Sequence, residues 1–365
     1  MPIRTELEPL DISSLHHDYR VTFHQELAGA IESLLDLQES VCIVDRNVAK
    51  LHGDALNPLL GSRPTLLLDA LESTKTLDGV EEVLNWMLDQ GCTRSSTVIA
   101  IGGGIVQDVV TFTSHIYYRG VRFILLPTTL LSMCDSCIGA KCGLNHGSFK
   151  NQLGVLHAPN DVRIVTPFLD TLNDDDIRSG YGEIVKLALT ENATDIDEVI
   201  RSVDRNGLRC PELLSMIRRS LQIKKVVIEQ DEYESDLRRI LNYGHTFGHA
   251  LEALSGHAVP HGLGVVWGID LVNHLSVRRG FPVEELKCRL HEFIDRNLSF
   301  DLAEFPSAEE LIDMTRRDKK VAAGQLNLVL LRGPGDLVIE PTPFDDHLTE
   351  GVHEFLEATG AVHRN

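Results

Sequence analysis

The chain has 365 residues, of which 43% are hydrophobic and 24% are charged. This composition is typical of a folded globular protein and excludes a disordered chain, and the length allows two domains, each with its own core. The formal net charge is -20, from 34 basic and 54 acidic residues. Such an excess of negative charge repels phosphate backbones and anionic lipids, so we expect neither nucleic acid nor a membrane surface as a partner.

The sequence shows no sign of export. The N-terminus, Met-Pro-Ile-Arg-Thr-Glu-Leu-Glu, lacks the basic and then apolar order of a signal peptide, and no apolar run approaches the ~20 residues of a membrane helix. The 7 cysteines are an odd number and lie in apolar runs, which favours reduced thiols. For the single pair Cys134-x-x-Cys137 we favour apolar packing over redox or metal chemistry. We therefore expect a cytoplasmic protein.

Short β-branched runs alternate with helical patterns in the first part of the chain. The runs that predict strands are Val41–Val44, Thr65–Leu68, Thr97–Ile101, Arg122–Leu126 and Val162–Val165. Between them lie amphipathic stretches such as Gly79–Leu88, so the pattern predicts βαβ units and a mostly parallel sheet.

The pattern becomes helical after Asn173-Asp-Asp-Asp, which indicates the start of a helix. One strand-like run, Leu326–Leu331, is the exception late in the chain. We predict an α/β, Rossmann-like N-terminal domain over residues 1–175, followed by an all-α, or at least mainly helical, C-terminal domain over residues 176–365.

A glycine turn indicates where a nucleotide could bind. Gly102-Gly103-Gly104 directly follows the third predicted strand, and glycines there let backbone amides approach a pyrophosphate at the start of a helix. The spacing differs from Gly-x-Gly-x-x-Gly, so a plain tight turn stays the alternative. Asp45 ends the first predicted strand, where it could bind a ribose or simply cap a helix.

Three histidines have spacings that can build a metal site. His245 and His249 are four residues apart, so both rings point to one face of a helix, and His261 follows in the sequence. Glu183 and Lys186 lie three apart on a run that predicts a helix. A carboxylate with imidazoles suits a zinc-like ion with one position open for substrate. For each ring, an ordinary core or surface histidine is the alternative.

Taken together, these segments resemble the sugar phosphate cyclases, and most of all the 3-dehydroquinate synthases. The resemblance runs from about Asp45 to Lys320. The blocks that carry it are Gly102-Gly-Gly-x-x-x-Asp108, Arg119-Gly, Pro127-Thr-Thr-Leu, Asp135-Ser-x-x-Gly-Ala-Lys141, Lys150-Asn151, Glu183-x-x-Lys186, Arg238-x-x-Leu-Asn-x-Gly-His-Thr-x-Gly-His249, His261-Gly and Asp318-Lys-Lys. Their shared order and spacing leave little room for chance.

The resemblance implies a phosphate-eliminating lyase that uses NAD and Zn2+, for which Co2+ can substitute. It implies metal ligands at Glu183, His245 and His261, with His249 facing the substrate. The implied NAD contacts are Asp45, Glu72, Lys75, Gly103, Gly104, Asp108, Thr128, Thr129, Asp135, Lys150 and Thr171. The implied substrate contacts are Asp135, Lys141, Lys150, Asn151, Lys186, Lys224, Arg238, Asn242, His249 and one of Lys319 and Lys320. Arg119 resembles an arginine that reaches in from the other subunit of a homodimer.

The choice of substrate depends on a carboxylate. Lys224, preferred over Lys225, and Arg238 stand where a lysine and an arginine meet the carboxylate of a heptulosonate 7-phosphate, which favours the 3-dehydroquinate synthase reaction. Cys142 and Leu263 depart from that pattern, and Gly139-Ala140-Lys141 resembles cyclases of the 2-epi-5-epi-valiolone synthase type, which use sedoheptulose 7-phosphate. That activity, or action on another sugar phosphate, is one alternative.

Two alternatives belong to other classes. Metal-dependent polyol dehydrogenases share the two-domain plan, the glycine turn and histidine ligands. Lys141, Lys150 and Lys186 argue against them, because a small alcohol needs no clamp for phosphate. A non-catalytic descendant that only binds nucleotide is the other alternative, and the intact set of polar residues argues against it.

Overall fold

The computed structural model describes residues 7–147, 149–316, 321–322 and 325–360. The chain divides into two compact units. Unit 1 comprises Met1–Asn173 together with Lys224–Glu232, and unit 2 comprises Asp174–Ile223 and Tyr233–Asn365. Lys224, one of the predicted substrate residues, therefore belongs to unit 1 although it lies in the helical part of the sequence.

The described part of unit 1 contains nine strands. They are β1 (Leu10–Ile12), β2 (Tyr19–His24), β3 (Ser40–Asp45), β4 (Thr65–Leu68), β5 (Thr97–Gly102), β6 (Arg122–Pro127), β7 (Lys141–His146), β8 (Phe149–Leu156) and β9 (Asp161–Val165). Seven of them form one sheet in the order β1-β2-β9-β6-β5-β3-β4, and β7 pairs with β8 in a separate antiparallel hairpin. Within the large sheet β1 and β2 are antiparallel and the other pairs are parallel.

The five strands predicted from the sequence are all present as β3, β4, β5, β6 and β9. Every residue of β5 is buried, as is all of β3 except Asp45, which is half-buried. Parallel strands covered by helices are buried on both faces, so they read as continuous apolar runs rather than alternating ones. That is why the sequence identified them.

Five α-helices connect these strands in unit 1. They are α1 (Leu27–Leu35), α2 (Arg46–Leu51), α3 (Gly53–Leu60), α4 (Leu77–Asp89) and α5 (Gly104–Ile116). The predicted amphipathic stretch is α4, whose start is capped by the Thr76 side chain on the amide of Gly79. The glycine turn leads into α5, as predicted.

Unit 2 is mainly helical. Its helices are α6 (Asp174–Glu191), α7 (Ala193–Asn206), the first part of α8 (Leu213–Gln230), α9 (His245–Leu254), α10 (His261–Arg278), α11 (Glu284–Asn297), α12 (Ala308–Thr315) and α13 (Asp346–Ala358). A small antiparallel sheet accompanies them, formed by β10 (Val321–Ala322), β11 (Gln325–Gly333) and β12 (Asp336–Pro343). The predicted fold class is confirmed; β11 is the strand predicted at Leu326–Leu331, and β10 and β12 are additions to it.

Helix α10 is the centre of unit 2. It is buried on all sides from Gly262 to Asn273, which is typical of a helix surrounded by other helices. No helix in the described ranges is long and apolar enough to cross a bilayer. The 7 cysteines all lie within those ranges and are free thiols, and Cys134 and Cys137 are both buried.

Candidate active site

Glycines bring the backbones of α6 and α10 into contact beside two predicted metal ligands. Gly182 precedes Glu183 on α6, and Gly262 follows His261 on α10. A Cβ atom added to Gly182 would lie 2.0 Å from the carbonyl oxygen of Gly262, and one added to Gly262 would lie 1.7 Å from that of Ser179. Any side chain at either position would push the two helices apart, so the glycines fix how close the two ligands lie.

Helices α9 and α10 approach each other in the same way. Gly244 adopts the left-handed conformation with φ 76° immediately before His245, and its Cβ would lie 2.4 Å from the carbonyl oxygen of Val265. A Cβ on Gly268 would lie 2.0 Å from the carbonyl oxygen of Gly244. The glycines of the Gly-His-Thr-Phe-Gly-His run therefore place His245 against α10.

This packing gathers one carboxylate and three imidazoles. The ring centroids of His245, His249 and His261 lie 5.2 to 5.5 Å apart, and each ring offers a nitrogen within 4.8 Å of the others. Oε1 of Glu183 lies 3.2 Å from Nε2 of His261 and 3.8 Å from Nε2 of His245. His249 is exposed at the edge of the cluster. Geometry alone admits His249 as a fourth candidate ligand beside the three that the resemblance implies.

Glu183 is fully buried, with 1% of its surface exposed. Lys186 contacts one carboxylate oxygen and His261 lies against the other, yet neither oxygen has a hydrogen bond of regular geometry within the described residues. Burial alone would raise the pKa of Glu183, but Lys186 and His261 outweigh it and hold the pKa below its usual range. The carboxylate is therefore an anion with oxygens available to a cation.

Two acceptors orient the imidazoles. Nδ1 of His245 lies 3.1 Å from the carbonyl oxygen of Tyr243, and Nδ1 of His261 lies 3.2 Å from Oε2 of Glu252. A carbonyl or carboxylate oxygen can only accept, so each Nδ1 carries the proton, and each Nε2 is turned towards Glu183. One carboxylate and two imidazoles whose Nε2 atoms face it fit a zinc-like ion.

His261 lies between two carboxylates. Burial would lower its pKa, but Glu183 on Nε2 and Glu252 on Nδ1 raise it to about 10. A bound metal ion takes the place of the Nε2 proton, so metal binding at this ring releases a proton.

Other predicted substrate residues of unit 2 lie just before α9. Arg238 is buried in the short 3-10 helix Leu237–Asn242. Nδ2 of Asn242 donates to Oε1 of Glu234 at 2.6 Å and to the carbonyl oxygen of Arg239 at 3.2 Å. The sequence analysis missed Glu234, which fixes this side chain. Lys319 and Lys320 lie outside the described residues.

In unit 1, several predicted cofactor residues follow the carboxyl ends of adjacent parallel strands. Asp45 ends β3, Gly103 and Gly104 follow β5, and Thr128 and Thr129 follow β6, and β5 lies between β3 and β6. From β3 the chain continues to β4 towards one edge of the sheet, and from β5 it continues to β6 towards the other edge, so the connections diverge between β3 and β5. Ligands of open α/β sheets bind at such a switch point. Asp45 also caps α2 by accepting from the amide of Asn47 at 2.8 Å.

A second group of predicted residues meets at the β7–β8 hairpin. Nζ of Lys75 lies 2.6 Å from Oδ2 of Asp108, and Nζ of Lys150 lies 3.8 Å from Glu72. Asn145 joins them, because its Nδ2 donates to Oε1 of Glu72 at 2.8 Å and its Oδ1 accepts from the amide of Asn151 at 3.0 Å. The sequence analysis missed Asn145, which lies at the irregularity between the paired residues Leu144 and His146 and gives no local signal in the sequence.

Lys224 and Asp135 form a third group. Nζ of Lys224 lies 2.5 Å from Oδ1 and 2.7 Å from the backbone oxygen of Asp135, and the lysine is buried. Lys225 points elsewhere and pairs with Glu229, four residues on, at 2.6 Å. The contact with a second predicted substrate residue favours Lys224 over Lys225.

Three further predicted residues are exposed. Lys141 is exposed at the start of β7, and Thr171 is exposed and shares a hydrogen bond of 2.8 Å with the His52 ring. Arg119 is exposed with φ 64°, directly after Tyr118 with φ 49°. Two successive residues in the left-handed region form a strained turn that holds Arg119 out into solvent.

Sequence comparisons decide the family. The family described as 3-dehydroquinate synthase N-terminal matches residues 65–179, and the one described as 3-dehydroquinate synthase C-terminal matches residues 180–321. The chain belongs to the 3-dehydroquinate synthase family. It is 36% identical over 330 residues to the 3-dehydroquinate synthase of Roseobacter denitrificans, which covers 86% of this chain and 88% of that relative.

Solved structures of cyclases have the same fold. One is the 2-epi-5-epi-valiolone synthase of Streptomyces hygroscopicus subsp. jinggangensis with NAD+ and Zn2+ bound, at 26% identity and a TM-score of 0.83, covering 97% of this chain and 99% of that one. Another is a 2-deoxy-scyllo-inosose synthase complexed with carbaglucose-6-phosphate, NAD+ and Co2+, at 22% identity and a TM-score of 0.84, covering 95% and 100%. The second likeness concerns the fold alone.

Proposed function

We propose that the chain catalyses the 3-dehydroquinate synthase reaction, in which a heptulosonate 7-phosphate loses phosphate and closes to a carbocycle with the help of NAD and Zn2+. The observation that carries the proposal is the buried Glu183 carboxylate beside the Nε2 atoms of His245 and His261, in a chain of this family. Family membership and the predicted phosphate-binding lysines also favour a cyclase over a polyol dehydrogenase.

In unit 2, we assign the metal to Glu183, His245 and His261. A bound Zn2+ would polarise the ring hydroxyl that is oxidised and lower its pKa. The chain itself directs the Nδ1–H groups of both histidines to fixed acceptors and keeps Glu183 ionised. His249, exposed beside the ligands, is placed to exchange a proton with the substrate phosphate, and Arg238 supplies a cation for the substrate carboxylate.

In unit 1, we assign NAD to the carboxyl edge of β3, β5 and β6 and to the residues around the β7–β8 hairpin. A bound NAD+ would take a hydride from the substrate and return it in the same reaction cycle. The backbone of Gly103 and Gly104 opens α5, whose N-terminus stabilises a pyrophosphate. Lys141 and Lys150 add positive charge for the substrate phosphate, and Lys224 adds charge for its carboxylate.

We further propose that the protein is a cytoplasmic homodimer in which Arg119 reaches the partner's substrate. Support comes from its exposed, strained turn and from the free thiols. A dimer with a shared site predicts that mixing inactive Arg119→Ala subunits with inactive His261→Ala subunits restores part of the activity. Mixed dimers without any activity would contradict the proposal that Arg119 reaches the substrate of the other subunit.

The function is tested by measuring phosphate release from 3-deoxy-arabino-heptulosonate 7-phosphate and from sedoheptulose 7-phosphate side by side, with NAD+ and Zn2+ present. We expect turnover of the first and at most traces with the second, because only the first has the carboxylate. Preference for sedoheptulose 7-phosphate would instead favour an activity of the 2-epi-5-epi-valiolone synthase type. Release from neither substrate would contradict the proposed reaction.

A further inference from the structure

Glu252 is a buried carboxylate that neither the sequence analysis nor the resemblance assigns. It lies on α9, three residues after His249 and seven after His245, and 6% of its surface is exposed. Residues at these spacings share one face of a helix, so Glu252 continues the row of side chains that the two histidines begin. A carboxylate is rarely this buried unless it is bound to something.

Its partner is a ring on the neighbouring helix. Oε2 of Glu252 lies 3.2 Å from Nδ1 of His261 at the start of α10. Gly264 on α10 leaves room for the side chain, since a Cβ there would lie 3.4 Å from Cγ of Glu252 and 3.1 Å from the carbonyl oxygen of Gly248. The close contact between α9 and α10 thus places the carboxylate on the side of the ring that faces away from Glu183.

The two predicted histidine ligands differ in what holds them. His245 donates from Nδ1 to a neutral backbone carbonyl, that of Tyr243, whereas His261 donates to the charged carboxylate of Glu252. A carboxylate on Nδ1 fixes the tautomer and makes the opposite nitrogen a stronger electron donor to a metal. Nε2 of His261 is the nitrogen that lies 3.2 Å from Glu183.

We infer that Glu252 is a positioning residue for the metal site, which holds the Nδ1 proton of His261 and keeps Nε2 directed at the ion. The inference rests on the proposed function, because it needs a metal ion on Glu183, His245 and His261. It concerns binding of the ion by the folded chain, so it can be tested without any sugar phosphate.

The test is a Zn2+ titration of the full chain against a competing chelator. Glu252→Gln keeps the shape and an oxygen that accepts from Nδ1 but removes the charge, and Glu252→Ala removes both. We expect the Kd for Zn2+ to rise about 10-fold in the first variant and about 100-fold in the second. Nitrogen-15 NMR of the imidazoles at saturating Zn2+ should show a shifted Nδ1 signal for His261 in Glu252→Ala, because the acceptor of that N–H is gone, and an unchanged Nδ1 signal for His245, a pattern that a loss of packing elsewhere would not produce.

The matched control is Glu340→Gln. Glu340 is a carboxylate of the same unit, and it pairs with Arg279 at the opposite end of α10, about 27 Å from His261 along the helix. Its Kd for Zn2+ should equal that of the wild type. If Glu252→Ala fails to fold, the near-isosteric Glu252→Gln decides the question alone.

The outcomes separate this inference from the proposed function. Tight binding of Zn2+ by the wild type with the same Kd in Glu252→Gln overturns the role of Glu252 and leaves the metal site in place. A wild type that binds no Zn2+ overturns both. An equal rise of Kd in Glu252→Gln and Glu340→Gln also overturns the role of Glu252, because the effect would then be general.

Discussion

The two units stabilise their charged site residues in different ways. In unit 1, three acids each face a lysine: Asp108 faces Lys75 at 2.6 Å, Asp135 faces Lys224 at 2.5 Å, and Glu72 faces Lys150 at 3.8 Å. In unit 2, Glu183 faces Lys186 and the imidazoles, and its oxygens lack regular hydrogen bonds in the described part of the chain. The charges of unit 1 are balanced in pairs, whereas Glu183 keeps capacity for one more cation.

The elements that carry these groups also differ. The β7–β8 hairpin is largely exposed and connected to its surroundings through polar side chains such as Asn145. The helices of the metal cluster touch through glycine backbones. A metal ion requires its ligand atoms within a few tenths of an ångström of the ideal metal–ligand distances. A dinucleotide is held by many separate contacts, which can adjust on binding. We therefore expect the metal ligands of unit 2 to be held rigidly and the acid–lysine pairs of unit 1 to adjust on binding.

The largest effect should come from adding one methyl group to the rigid part. In Gly182→Ala the Cβ would lie 2.0 Å from a carbonyl oxygen of α10, which cannot rotate away. Alanine favours a helix by up to ~1 kcal/mol over glycine, but the clash should lower the free energy of unfolding by more than about 3 kcal/mol and abolish Zn2+ binding. Chemical denaturation followed by circular dichroism measures the first, and chelator competition the second.

Gly333→Ala is the control for this change, because no described residue has an atom within 4 Å of a Cβ at that position of the same unit. Its free energy of unfolding should stay within about 0.5 kcal/mol of the wild type. If Gly182→Ala were as stable and bound Zn2+ as tightly as Gly333→Ala, the rigid packing would not be what forms the site.

A pair of adjacent lysines tests the ion pairs of unit 1. Lys224→Ala leaves Asp135 without its lysine in a mostly buried place, so we expect a loss of about 2 kcal/mol in the free energy of unfolding, below the ~3 to 5 kcal/mol of a fully buried pair. Loss of the carboxylate contact should lower kcat/KM for the heptulosonate about 100-fold. Steady-state kinetics and thermal unfolding measure both.

Lys225→Ala is the matched control, since its i,i+4 pair with Glu229 is partly exposed and contributes at most about 0.5 kcal/mol. We expect kinetics within about 2-fold of the wild type. A loss of kcat/KM in Lys225→Ala together with a wild-type kcat/KM in Lys224→Ala would reverse the assignment of these two residues.

The smallest effect should come from loosening the hairpin. Asn145→Ala removes the hydrogen bonds to Glu72 and to the amide of Asn151, so we expect the Kd for NAD+ to rise about 10-fold, with Zn2+ binding unchanged. Gln152→Ala on the same hairpin is the control, because its side chain is exposed and, among the described residues, makes only a 3.5 Å contact with the carbonyl oxygen of Lys150. Calorimetric titration with NAD+ measures the Kd of both variants. Equal Kd values would contradict a role of Asn145 in NAD+ binding.

The sequence predicted five buried parallel strands and β11, and it missed other strands for identifiable reasons. Strands β7 and β8 are exposed or half-buried except at Leu144 and are rich in polar residues, so they have no apolar pattern. Strand β1 has three residues, too few for a period. Strand β2, Tyr19–His24, does alternate buried and exposed residues and was detectable by its period of two.

At the candidate site, motif spacing and the resemblance predicted a set of residues but not the contacts that hold them. Glu183 and His261 are 78 positions apart and meet only because glycines let their helices touch. Glu252 and Glu234 depend on contacts across the fold, although the spacing of Glu252 from His249 and His245 was a usable signal for a shared helix face. Roles that depend on tertiary contacts cannot be inferred from local pattern.

The proposed function requires that the chain use NAD as a catalyst while it eliminates phosphate from a heptulosonate 7-phosphate. The most direct measurement follows phosphate and NADH together, with substrate in large excess over NAD+. We expect many phosphates released for each NAD+ present, no accumulation of NADH, and loss of phosphate release in His261→Ala. Phosphate release that stops at one per NAD+, NADH that accumulates with turnover, or full release by zinc-free His261→Ala would contradict it.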